Sequence, residues 1–187
     1  MNMRDRQPRA DARANRDRLI EVAARTFARE GAGASLKGIA KEAGVGIGTL
    51  YRHFPTRESL IEAAHTSELA RVCESADDLL ATMPPDEALR AWLGRWVTYL
   101  TAKHGLAQAL RATAASGEDA VAFPGARALA LAAVDRLLDA GVRDGTLRQG
   151  VEPLDVLVAA HGAALAAMDP GQVVRLLDYL MDALRAR

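Results

Sequence analysis

Residues able to do chemistry are thinly scattered along this chain, with one exception. Ser35, Lys37, Thr49, Tyr51, Arg52, His53 and Arg57 crowd into a short stretch, and together they offer hydroxyls, an imidazole and three cations. These groups suit phosphate oxygens, which accept hydrogen bonds and attract positive charge. The groupings that carry catalysis are missing. There is no Gly-x-Ser-x-Gly, no Gly-rich phosphate loop and no cysteine pair, and His53, His65, His104 and His161 are too scattered for a His-x-x-x-His metal motif. Asp77-Asp78 and Glu118-Asp119 are neighbours in sequence and so point apart, as solvated charges do. The expectation is a protein that is not an enzyme and has no cofactor and no metal.

The elements that must position the phosphate-suited groups are two short helices meeting at a turn. Ile39, Ala40 and Ala43 recur at helical spacing and turn one face of the first helix inward. Gly44 stands where the chain must reverse sharply. Val45, Leu50 and Phe54 close the small core from the far side. Ile47, Gly48, Thr49, Tyr51, Arg52 and His53 are then left on the outer face. This is the outline of a helix-turn-helix, whose second helix enters the DNA major groove. A glycine at position 48 costs roughly 1 kcal/mol of helix stability against alanine, and close approach to a phosphate backbone is a reason to keep it.

The stretch Ile39-Ala40-Lys41-Glu42-Ala43-Gly44-Val45, then Gly48-Thr49-Leu50-Tyr51-Arg52-His53-Phe54 and Arg57-Glu58-Ser59-Leu60, resembles the DNA-binding domain of the tetracycline-repressor (TetR) family. The resemblance extends back through Leu19 to Gly31, which looks like the family's first helix. Gly46 stands where the family usually has a serine, and Gly38 where an acidic residue is common. The resemblance implies a homodimeric, ligand-responsive repressor on a palindromic double-stranded operator. It implies that Ser35 caps the second helix and bonds phosphate, that Thr49, Tyr51 and His53 also hold phosphate, and that Arg57 adds charge. Lys37, Gly48 and Arg52 become the candidates for reading base edges, since an arginine can bond guanine O6 and N7 together. The alternative is a helical small-molecule-binding protein with a vestigial DNA-binding head.

The whole chain fits this frame. Its 187 residues are 50% apolar but only 4% aromatic, a composition that favours close-packed helices over sheet. Net charge is zero, yet residues 1–60 hold 12 Lys and Arg against 7 Asp and Glu, while residues 61–187 hold 12 against 17. A basic head on an acidic body suits a protein that places one end on a polyanion. Cys73 is the only cysteine, so the chain has no internal disulfide and fits a reducing, cytoplasmic setting. Beside Val72 on a long helix it reads as buried and structural. No secretory signal and no membrane span are visible.

The expected architecture is all-α, with about nine helices. Residues 13–60 form the helix-turn-helix domain and residues 61–187 a helical effector-binding and dimerisation domain. Residues 1–12 read as a disordered basic arm. Helix one spans 13–30, and a fourth helix, capped by Thr56, runs to position 81. Further helices cover 86–103, 105–115, 126–144, 153–168 and a last segment to 185, with a loop over 116–125. Leu89, Trp92, Leu93, Trp96, Val97 and Leu100 make a clean amphipathic stripe. Trp92 and Trp96 have two readings, ordinary core or the wall of a pocket for a hydrophobic effector. The resemblance favours the pocket, with His65 and Leu69 facing the same space. Small residues over 159–167 and apolar bulk from Val173 to Leu184 suit a four-helix bundle across a two-fold axis, so residues 153–186 are expected to hold the dimer.

Overall fold

A computed structural model describes the backbone of residues 7–113 and 124–186, and the side chains of residues 11–31, 33–102 and 127–186. The described residues form eight helices: α1 (Gln7–Glu30), α2 (Leu36–Glu42), α3 (Ile47–His53), α4 (Arg57–Leu80), α5 (Pro85–Thr113), α6 (Pro124–Asp144), α7 (Pro153–Ala166) and α8 (Pro170–Leu184). The fold is all-α, as expected. Among the described residues its one β pairing is an isolated antiparallel bridge between Leu147 and Arg185.

Three boundaries differ from the sequence reading. The expected helices over 86–103 and 105–115 are one continuous α5, which brings the count from nine to eight. A helical glycine costs only about 1 kcal/mol, too little for Gly105 to break a long helix. Helix α1 begins at Gln7, not at 13, so residues 7–12 are helical and only 1–6 of the expected arm lie outside the described residues. Pro8 fits a first helical turn, where no N–H is required, and the alanines and arginines after it are good helix formers. The expected loop over 116–125 falls mostly outside the described residues, and Pro124 and Gly125 instead open α6.

The chain divides into two compact units, Met1–Glu68 with Gly105–Gly117, and Leu69–His104 with Glu118–Arg187. In the first, α1 contributes Leu19, Ile20, Ala23 and Phe27 to a core that also holds Leu36, Ile39 and Ala40 of α2, Leu50 of α3, Phe54, and Leu60, Ile61 and Ala64 of α4. In the second, the stripe of α5 is buried throughout. It packs with Leu69, Val72, Cys73, Ala76 and Leu79 of α4, Ala133, Val134 and Leu137 of α6, Val156, Leu157 and Ala160 of α7, and Leu177, Met181 and Leu184 of α8. Two ion pairs tie α8 and its end to α5: Arg90 to Asp178 at 2.7 Å and Arg185 to Asp86 at 3.2 Å. Each is partly exposed and contributes little, of order 1 kcal/mol or less.

Candidate nucleic-acid interface

Local chemistry builds the motif. The Ser35 hydroxyl accepts from the Gly38 N–H at 3.2 Å and caps α2. Helix α2 ends on Gly44, whose φ of +70° is cheap only for glycine. There the Val45 N–H bonds the Ala40 carbonyl at 2.9 Å and the Gly44 N–H bonds the Lys41 carbonyl at 3.1 Å. This is a Schellman turn, with Val45 tucked against the core as its apolar clasp. The turn sets the direction in which α3 starts. Gly46 begins α3 without a side-chain cap. At the far end, Thr56 and Ser59 cap α4 reciprocally, through Ser59 N–H to Thr56 Oγ1 at 3.1 Å and Thr56 N–H to Ser59 Oγ at 3.3 Å.

Helix α3 turns Leu50 fully inward and leaves Ile47, Gly48, Tyr51 and Arg52 exposed, with Thr49 and His53 half-buried beside them. Ser35 and Lys37 are exposed on the first turn of α2. A Cβ at Gly46 or Gly48 would meet nothing within 4 Å. Arg52 Nη2 donates to Thr49 Oγ1 at 3.2 Å, one turn back along the same face. Arg57 is tied into the fold, for its Nη1 donates to the Ala34 carbonyl at 2.8 Å. That bond joins the start of α4 to the segment before α2, a role the sequence did not show. Sequence reasoning also missed Arg16, whose guanidinium lies 5.3 Å from the centre of the Phe54 ring, immediately after α3. The signal was present: Arg16 stands one helical turn before Ile20, on the face that enters the core.

Three of the four residues expected around an effector lie in one core. Leu69, Trp92 and Trp96 share the core of the second unit, and the two indoles stack at 5.7 Å with planes 10° apart. Tyr99 tilts against Trp96 at 5.7 Å. Trp92 is wholly enclosed, and its N–H is taken up by the Val72 carbonyl at 2.8 Å. Trp96 is only 7% exposed, and its Nε1 has no hydrogen-bond partner among the described residues. His65 is half-buried and belongs to the first unit. A recess of about 360 Å³ between α6 and the start of α7, lined by Leu131, Ala132, Asp135, Glu152, Pro153 and Leu154, contains none of these residues. Cys73 is buried as expected, and burial pushes its thiol up to about 11, with Arg136 opposing and Glu74 adding.

A capped helix, a left-handed glycine turn and a second helix with one buried and one bare face define a helix-turn-helix protein. Its relatives agree over most of the chain. Residues 19–64 match bacterial regulatory proteins of the tetR family, and residues 84–186 match the C-terminal domain of SbtR-like transcriptional regulators. The TetR transcriptional regulator SCO0520 from Streptomyces coelicolor is 48% identical, covering 91% of this chain and 98% of that one, with a TM-score of 0.76. A TetR transcription regulatory protein from Mycobacterium vanbaalenii is 38% identical, covering 95% and 99%, with a TM-score of 0.72. An HTH-type transcriptional regulator of Staphylococcus aureus is 49% identical over 53 residues, which are 28% of this chain and 29% of its own length. The chain belongs to the TetR family of transcriptional regulators.

Proposed function

We propose that this protein acts in the cytoplasm as a homodimeric repressor, bound to a palindromic operator and released by a hydrophobic small molecule. The outer face of α3 carries the reading. Leu50 anchors the helix from behind, while the bare surface at Gly48 leaves room for a groove wall. Arg52 and Lys37 would read base edges, and Ser35, Thr49, Tyr51, His53 and Arg57 would hold phosphates. Arg57 would do so while its Nη1 stays on the Ala34 carbonyl.

Two further observations support the dimer and the effector. On α7, Leu154, Val158 and Leu165 fall on one line away from the buried Val156, Leu157 and Ala160, and Val158 is 61% exposed. Met168, Val174 and Tyr179 are further exposed apolar residues of this unit. Exposed apolar area of this kind marks an interface. The Trp96 N–H, unpartnered among the described residues, leaves a buried donor that costs about 1–3 kcal/mol, and an acceptor on an effector would satisfy it. No helix of the described residues is long and apolar enough to cross a membrane.

Enrichment of bound duplexes from a random-sequence pool tests the reading. The expected product is a two-fold motif, and Arg52→Ala should relax the preference at one position in each half, a loss of about 1–3 kcal/mol there. No enrichment, or a motif without symmetry, would overturn it. Equal weakening on every duplex would move Arg52 to the backbone set.

A further inference from the structure

We propose that the N-terminal half of α1 is a second DNA contact, in which Arg13 and Arg16 hold phosphates of the duplex flanking the half-site read by α3. The inference rests on the DNA-binding reading above and extends its footprint.

Helix α1 has 24 residues, and its first described buried side chain is Leu19. From Asp11 to Arg18 every side chain is exposed except the half-buried Asn15. Apolar burial therefore does not explain these turns. Their charge does point to a partner. In the C-terminal half of α1, arginines meet acids: Arg25 pairs with Glu21 at 2.6 Å and with Glu42 at 3.5 Å, and Arg29 pairs with Glu30 at 2.8 Å. In the N-terminal half, Arg13, Arg16 and Arg18 have no acidic partner among the described residues.

The register aims two of them. Arg13, Arg16, Ile20, Ala23 and Phe27 share one face of a 3.6-residue helix, and the last three of these are buried in the core with Leu50 and Phe54. The stripe thus continues, toward the N-terminus, the side of α1 that faces the helix-turn-helix. Arg16 shows this directly, lying over Phe54, the residue that ends α3. His53, beside it in sequence, is a proposed phosphate contact. The two arginines are therefore continuous with the proposed interface. Arg18 lies on another side of α1, with Nη1 3.9 Å from where a Cβ on Gly44 would stand. Unpaired guanidinium groups bordering a DNA-reading helix match the phosphates that run past the half-site.

The test uses a duplex enriched by the full-length wild-type protein, synthesised at two lengths: the selected motif alone, and the motif with long flanks. Anisotropy titrations across salt concentrations are run for wild type, Arg13→Gln, Arg16→Gln, Arg16→Lys and the double glutamine variant. Each glutamine should lower the log-log salt slope by about one per protomer on the long duplex. Neither should matter on the short one, and Arg16→Lys should restore the slope. Arg13 is exposed and unpartnered among the described residues, so Arg13→Gln should melt with wild type and keeps the test valid if Arg16→Gln loosens Phe54. Wild-type slopes that do not depend on length, or an unchanged Arg13→Gln slope on the long duplex, would overturn the inference and leave the regulator reading intact. A wild-type protein that enriches no duplex would overturn both.

Discussion

Replacing Gly48 by alanine should make the protein more stable and a poorer DNA binder at once. Gly48 is the second residue of α3, on the exposed face, and an added Cβ meets nothing within 4 Å. Its φ is not positive, so alanine adopts the backbone without strain. The gain is a helix-propensity and unfolded-state effect of about 0.5–1 kcal/mol. For a chain of this size that raises Tm by about 1–4 °C. The same methyl would stand where α3 approaches the groove wall. Forcing one extra carbon into a close-packed contact costs about 1–3 kcal/mol, a loss of roughly fivefold to 150-fold in Kd for each half-site. Urea unfolding gives the first quantity and anisotropy on an enriched duplex the second. A stabilised variant that binds as tightly as wild type would refute the placement of Gly48 against DNA. A destabilised variant would refute the open space around it.

Three other outcomes follow from the second unit. Val158→Glu, on the exposed line of α7, should yield a folded monomer by light scattering, whereas Leu177→Glu should unfold the subunit. Leu177 is only 2% exposed and belongs to the core of the subunit, so a charge there tests that core and not the dimer. A Val158→Glu dimer would place the interface elsewhere. Trp96→Phe removes a buried donor without a partner while leaving a modest cavity, so its net stability should stay within about 1 kcal/mol of wild type; a loss above about 3 kcal/mol would show that the indole N–H is bonded in solution. Cys73 should resist iodoacetamide at pH 8 in the native protein and label on unfolding. Its thiol is raised in the fold, so stability is fully present below the unfolded value near 9 and falls as pH climbs toward about 11. Rapid native labelling at pH 8, or a Cys73→Ala variant with the same alkaline loss, would contradict this.

The helix-turn-helix was legible because its rules are local. A serine cap, a left-handed glycine and an inward leucine each act within a few residues of chain, so Gly44 and Leu50 could be placed from spacing and Ser35 from the family resemblance. The stripe of α5 was legible for the same reason. What escaped depends on partners distant in sequence. The Ala34 carbonyl that receives Arg57 cannot be seen from the arginine itself, and the register of Arg16 gives its face of α1 but not the Phe54 ring it meets. Helix α8 was ambiguous because apolar residues surround most of it. Leu177, Met181 and Leu184 face in while Val174 and Tyr179 face out, and only the packed α5 and α7 decide which. The start of α1 was lost to a compositional habit, in which proline and arginine suggest disorder even where a first helical turn accepts both.

The small β bridge near the C-terminus has a consequence for how the second unit opens. The Arg148 N–H bonds the Leu184 carbonyl at 2.9 Å, and the Ala186 N–H bonds the Thr146 carbonyl at 3.0 Å. Chain ends normally fray at almost no free-energy cost. Here residues 184–186 are laced to the segment after α6, which closes α7 and α8 into a loop stitched at its neck. Neither helix can peel away from its end without first breaking that seam and the Arg185–Asp86 pair beside it. The two helices that carry the exposed apolar residues of this unit are thereby held in one cooperative unit.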